Sequence, residues 1–209
     1  RLALAAGTRI ISVDYRLAPE FPYPAAPEDC YAAYQAIAEG ALGGPPSWIA
    51  VGGDSAGANL AAVVALMARD KRGRLPDFQL LVYPVTDLAA TTASRRENAE
   101  GYFLTAEAIE WFTGHYVDPA RIGEPYCSPA RASSLNGLPP AYVVTAEFDP
   151  LRDEGEAYAA ALAAAGVSAT SVRYDGQVHG FFALPELFGP KAEQAVDEAA
   201  AAVRKAAAI

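Results

Sequence analysis

The sequence predicts an α/β fold with a mostly parallel, doubly wound sheet. Two observations carry that prediction. Short apolar runs alternate with longer helical patterns along the chain. Serine, acidic and histidine residues then recur just past the ends of the runs, where open α/β sheets gather their sites.

In chain order, residues 1–6 read as the last turns of a helix, and strands are expected at 9–13, 48–51, 78–83, 141–146 and 169–174. Helices are expected at 28–39, 56–69, 105–116, 152–165 and 190–207. Gly166 follows the fourth of these where a left-handed cap belongs, and Pro190 opens the fifth, since proline fits a first helical turn. Residues 15–29 are rich in proline and form an irregular loop, in which Arg16 and Glu20 are expected to pair. The segment 86–140 breaks the alternation: it is long, rich in Pro, Gly and aromatics, and holds one helical pattern. Insertions of this kind form lids or pocket walls. Tyr102, Phe103, Trp111 and Phe112 there either line a pocket or pack the helix onto the body. The whole, residues 1–209, reads as one domain with 86–140 as an insertion.

Composition narrows the classes of function. With 52% hydrophobic and 20% charged residues the usage is globular, and a net charge of −9 without basic runs argues against nucleic acid. Charges, Gly or Pro interrupt every apolar stretch short of the ~20 residues of a membrane helix. No secretory signal is visible, and a cytoplasmic location is expected. Cys30 and Cys127 lack metal-ligand spacing and read as free thiols. No cofactor is expected, because the only Gly-rich turn is the one described next.

That turn is Gly53-Asp54-Ser55-Ala56-Gly57, between the apolar run ending at Val51-Gly52 and the Ala/Leu/Val helix pattern 56–69. A strand, a sharp turn with Ser at its apex and a helix make a nucleophile elbow, which lifts the hydroxyl above the sheet at a helix N-terminus. Gly53 and Gly57 are expected where the turn leaves no room for side chains. Ser55 is alternatively an ordinary helix cap. A serine nucleophile needs a base, usually an imidazole held by a carboxylate. Only two histidines are available: His115 at a helix end among aromatics, and His179 in a loop after the last strand. Acids past strand ends are Asp87, Glu147 and Asp149; Asp153 fits the next helix start, where a carboxylate is favourable as a cap.

Four motifs together resemble one family: Val13-Asp14-Tyr15-Arg16-Leu17-Ala18-Pro19-Glu20 with its proline-rich sequel; Gly52-Gly53-Asp54-Ser55-Ala56-Gly57-Ala58-Asn59-Leu60; Asp149-Pro150-Leu151-Arg152-Asp153-Glu154; and His179-Gly180-Phe181. In this order they are similar to the hormone-sensitive-lipase family of α/β-hydrolases, in its bacterial esterases of the GDSAG type. Ser55 and Asp149 are separated by 94 residues and Asp149 and His179 by 30, which suits intervening βα units. The resemblance implies an α/β-hydrolase fold and a carboxylesterase for short to medium acyl esters. It assigns Ser55, Asp149 and His179 as nucleophile, acid and base, with an oxyanion hydrogen bond from the Ala56 backbone N–H. It also keeps two alternatives open, a non-catalytic small-molecule binder on the same fold and an amidase or thioesterase with the same triad.

The departure lies at the front. Family members carry a His-Gly-Gly-Gly segment, which supplies oxyanion donors, and a helical cap; neither is present, the first residue is Arg1, and the only methionine is Met67. The expectation is therefore the C-terminal portion of a hydrolase domain. A missing strand would lie between 9–13 and 48–51, the partners would be an ester substrate and the missing N-terminal segment, and the chain alone would be nearly inactive. The strand at 169–174 would be a sheet edge, open to a homodimer.

Overall fold

The computed structural model describes residues 1–208, and in it the alternation becomes one sheet of four parallel strands. They are β1 (Ala50–Asp54), β2 (Phe78–Val82), β3 (Ala141–Phe148) and β4 (Ala169–Val178), and their spatial order is the chain order. Helices α1 (Leu2–Ala6) and α2 (Ala25–Ala38) precede β1. Parallel neighbours need crossovers. From β1 to β2 the crossover is α3 (Ala56–Asp70). From β2 to β3 it includes α4 (Ala93–Glu97), α5 (Ala106–Tyr116) and two single 3-10 turns, Pro119–Arg121 and Pro129–Arg131. From β3 to β4 it is α6 (Arg152–Ala164), and α7 (Pro185–Phe188) and α8 (Pro190–Ala207) close the chain.

Side chains alternate across a strand, and β2 and β3 use both faces. Leu80, Val82 and Val144 pack toward α1 and α8, while Leu81 and Val143 pack toward α3 and α6 with Leu66 and Leu162. Such strands are apolar throughout because both faces are covered. Helix α8 buries one stripe, Ala192, Ala195, Val196, Ala199, Ala200 and Val203, at helical spacing. Every residue of α3 from Ala58 to Ala68 is buried, because the sheet covers one side and Tyr31 and Tyr34 of α2 the other. Gly166 has φ +80° directly after α6, and Pro190 begins α8.

Three expectations are corrected. Residues 9–13 do not form a strand. A strand needs a hydrogen-bonded neighbour about 4.8 Å away, and between this segment and β1 lies a cleft of about 1300 Å³, lined by Ile10, Ile11, Val13, Val51, Gly53 and Ser55 among others. Arg16 does not pair with Glu20. Its guanidinium forks onto Asp29 in α2, Nε to Oδ2 at 2.8 Å and Nη2 to Oδ1 at 2.7 Å, and the Arg16 backbone N–H adds a third bond at 3.0 Å. Planar bidentate geometry favours that partner. The segment 86–140 holds two α-helices rather than one, since Thr92 and Thr105 cap α4 and α5 separately.

Candidate active site

The site is built at the C-terminal ends of the strands. Past β1 the chain turns sharply at Ser55, whose φ of +53° and ψ of −116° are strained for a residue with a side chain. The turn is held by Ser55 N–H, which donates to Val82 O of β2 at 2.9 Å, and by Ser55 O, which accepts from Ala58 and Asn59 N–H, both at 3.1 Å. A Cβ on Gly53 would sit 2.3 Å from the carbonyl carbon of Gly57, so that glycine is obligatory. Gly57 differs from expectation: a Cβ there would meet nothing within 4 Å, because it borders the open cleft. Buried Asn59 ties the first turn of α3 to two loops, donating from Nδ2 to Val85 O at 2.9 Å and Cys127 O at 3.0 Å.

Strand register brings Asp149 and His179 together. Phe148 of β3 pairs with Val178 of β4 across a bulge, so the next residues, Asp149 and His179, leave adjacent strands side by side. His179 Nδ1 lies 2.8 Å from Asp149 Oδ2, and Nε2 lies 2.9 Å from Ser55 Oγ. A carboxylate only accepts, so Nδ1 carries the proton and Nε2 is left to accept from the Ser55 hydroxyl. Asp149 is fully buried, and its other oxygen accepts from Leu151 N–H at 2.8 Å. Tyr83, buried beneath the imidazole with ring centroids 4.5 Å apart, backs His179. Tyr83 also has a positive φ, +35°, and burial and the nearby Asp54 push its phenol above the ordinary value. Asn59 stands inside the Gly52–Leu60 motif, but nothing in that pattern points to its partners, loop carbonyls 26 and 68 residues away, and no pattern singled out Tyr83.

The other candidates are occupied elsewhere. His115 bonds to Trp111 O at 2.8 Å and stacks on the Trp111 ring, on the exposed side of α5. Asp87 takes Arg131 Nε at 2.8 Å, and Glu147 accepts from Gly176 N–H at 2.7 Å. Asp153 stands in the first turn of α6, as expected, but its side chain accepts from Ser94 N–H at 2.8 Å and makes no cap bond to that turn. Glu154, nearly fully buried, takes Arg95 at 2.7 Å and the N–H groups of Thr86 and Asp87 at 2.8 and 3.2 Å; burial nevertheless pushes its carboxyl above the ordinary range. Of the four aromatics named in 86–140, Tyr102 stacks on Phe148, Phe103 is exposed with its ring edge close to Gly180 beside His179, and Trp111 and Phe112 are exposed and meet edge to face.

Chemically, a hydroxyl faces an imidazole acceptor whose far nitrogen is held by a buried carboxylate. The serine also sits at the N-terminus of a fifteen-residue helix, where the N–H groups of Ala56 and Gly57 precede the first bonded turn and the dipole favours negative charge. Cys30 and Cys127 are both free, and burial raises their thiols to about 11 and about 12. Among the described residues, no group of three or more His, Cys, Asp or Glu could hold a metal ion, and no helix is long and apolar enough to cross a membrane.

Comparison with known proteins gives the same geometry a family. A family model described as the alpha/beta hydrolase fold matches residues 1–183. The chain is 50% identical over 200 residues to carboxylic ester hydrolase LipN of Mycobacterium tuberculosis, covering 90% of this chain and 52% of that protein. It is 44% identical over 210 residues to carboxylesterase NlhH of the same species, covering 98% of this chain and 66% of the relative. Among solved structures, a hyperthermophilic esterase from the archaeon Pyrobaculum calidifontis superposes with a TM-score of 0.94 at 44% identity, over the whole of this chain and 68% of that one. The chain thus spans between half and about two-thirds of the length of these three relatives. Motifs, sheet and relatives agree, and the chain belongs to the α/β-hydrolase family, in its hormone-sensitive-lipase-like branch.

Proposed function

We propose that the protein is a serine carboxylesterase for short to medium acyl esters, with Ser55 as nucleophile, His179 as base and Asp149 as the acid that orients it. The observation that carries this reading is the continuous pair of bonds from Ser55 through His179 to buried Asp149, at 2.9 and 2.8 Å. As Ser55 Oγ bonds to the ester carbonyl carbon, its proton passes to His179 Nε2. The oxyanion of the tetrahedral intermediate takes a hydrogen bond from Ala56 N–H. Collapse expels the alcohol, which leaves with the proton from Nε2, and Ser55 is acylated. Water, deprotonated by His179, then hydrolyses the acyl-enzyme. The names of the relatives, carboxylic ester hydrolase and carboxylesterase, support the ester as substrate.

A further stretch of polypeptide completes the site. The free edge of β1, the run 9–13 and the cleft between them support a seat for one more strand. That cleft reaches Ser55, Ala56 and Gly57, so a segment seated in it can add oxyanion donors. Losing one such donor costs ~100 to 1,000-fold in turnover, and residues 1–209 alone are accordingly a poor catalyst. The free edge of β4 supports a homodimer by strand pairing, which light scattering would detect as a doubled mass. The two free thiols fit a reducing compartment such as the cytoplasm.

The test is hydrolysis of p-nitrophenyl esters from acetyl to long-chain acyl, alongside matched amides and thioesters, by the full-length protein and its Ser55→Ala variant. Turnover of short esters that Ser55→Ala abolishes is the expected result. Turnover unchanged in Ser55→Ala overturns the assignment. Folded protein that binds the esters but hydrolyses none of the three classes is the signature of a binding protein.

A further inference from the structure

We propose that Ser94 and Asn98 are positioning residues that aim the acid, Asp149; this inference rests on the triad reading above. Where the chain leaves β3 at Asp149, its carbonyls pass beyond the sheet, and buried carbonyls left without a donor are costly. Three donors meet them. Asn98 Nδ2 donates to Asp149 O at 3.2 Å, Arg152 N–H donates to the same oxygen at 3.1 Å, and Ser94 Oγ donates to Pro150 O at 2.8 Å. Ser94 also bonds Asp153 twice: Ser94 N–H donates to Oδ2 at 2.8 Å, and Ser94 Oγ accepts from Asp153 N–H at 3.2 Å.

The acid's own carboxylate is used up at both oxygens, by Leu151 N–H and by His179. Its direction therefore depends on where the backbone of 149–151 sits, and that is what Ser94 and Asn98 grip. Both are buried, Ser94 at 0% and Asn98 at 4% exposure, although they sit in and just after a five-residue helix on the insertion. Behind them the Arg95 pair with Glu154, reinforced by Thr86 and Asp87 N–H, fixes the same helix to α6. The insertion thus reaches the site through the acid loop. Neither side chain touches the reacting atoms; each acts through Asp149.

The test uses Ser94→Ala and Asn98→Ala in the full-length protein, with Arg96→Ala on the same helix as control, because the Arg96 side chain is exposed and, among the described residues, bonds Thr91 O within the insertion alone. The readouts are kcat and KM on a short p-nitrophenyl ester, the melting temperature, and the downfield NMR resonance of the His179 Nδ1 proton bonded to Asp149. Misplacing a reacting group by about 1 Å costs up to ~100-fold. The expected result is a kcat lowered about tenfold in each variant with KM little changed. The Nδ1 resonance should be broadened or lost while the protein remains folded, with Arg96→Ala like the wild type. If Ser94→Ala does not fold, Asn98→Ala, which removes a single bond, carries the test. A wild-type resonance that persists unshifted in both folded variants, with unchanged kcat, overturns the proposal and leaves the triad standing. A wild type with neither resonance nor turnover overturns the triad and this proposal with it.

Discussion

The two edges of the sheet are built differently. On the β3–β4 side, the polar side chains past the strand ends meet within the chain: Asp149, His179, Ser94, Asn98 and Glu154 are buried and bonded. On the β1 side the strand is half-exposed, and Ile10 and Ile11 stand open across a cleft of about 1300 Å³. The proposed base and acid belong to the finished side, and the proposed oxyanion donor, Ala56 N–H, faces the open one. Ser55 stands at the border, anchored to β2 by its N–H and lining the cleft. The contrast teaches that the proposed proton-transfer chain is hydrogen-bonded wholly within residues 1–208, whereas the proposed pocket for the developing charge borders an open cleft.

The largest expected effects break one side or the other. Ser55→Ala in the full-length protein should lower ester turnover by ~10⁴-fold or more, measured as kcat on p-nitrophenyl acetate. Gly57→Leu should fold normally by circular dichroism, since nothing lies within 4 Å of the site of its Cβ. In the full-length protein, a seated segment would collide with that side chain, and turnover should fall about 100-fold through the lost donor. Unchanged turnover would mean that the cleft stays open.

Stability should separate the sides next. Glu154→Gln leaves Arg95 buried beside a neutral partner, and breaking a buried pair in this way costs about 3 kcal/mol, which urea unfolding would register. Hydrogen exchange should grade the same contrast by position. Amides of β2 and β3 should exchange slowest, and those of 9–13 should exchange close to the unstructured rate in the isolated chain and become protected in the full-length protein.

The smallest effect lies in the front loop. Hydrogen bonds from the Arg16 side chain and backbone hold Asp29 at about 2, below its ordinary 3.8. A depressed carboxyl contributes stability that is complete above the ordinary value and is lost as pH falls through the folded one. Asp29→Asn should therefore melt slightly below wild type at pH 5 to 7, and the two should converge below about pH 2.

Much of the finished side was legible in the sequence, because its signals are local. The elbow is spelled by consecutive residues, and Asp149 and His179 are marked by their places after apolar runs. The grip of Ser94 and Asn98 on the acid loop was not legible, since their partners lie more than fifty residues away and a polar residue in an insertion ordinarily reads as surface. The error at 9–13 has a related cause. Its β-branched residues favour extended backbone, but strand status belongs to a pair, and the neighbour is not encoded in the segment itself. Arg16 illustrates the same limit: Glu20 is nearer in sequence, and Asp29, thirteen residues on, offers the bidentate geometry.

The most direct test of the central claim, that Ser55 is a nucleophile activated by His179 and Asp149, is covalent labelling by a fluorophosphonate followed by peptide mass spectrometry. The account predicts one phosphonyl group per chain on Ser55, formed at a rate that falls steeply in His179→Ala and Asp149→Asn. Labelling elsewhere, or none in folded full-length protein, would contradict it.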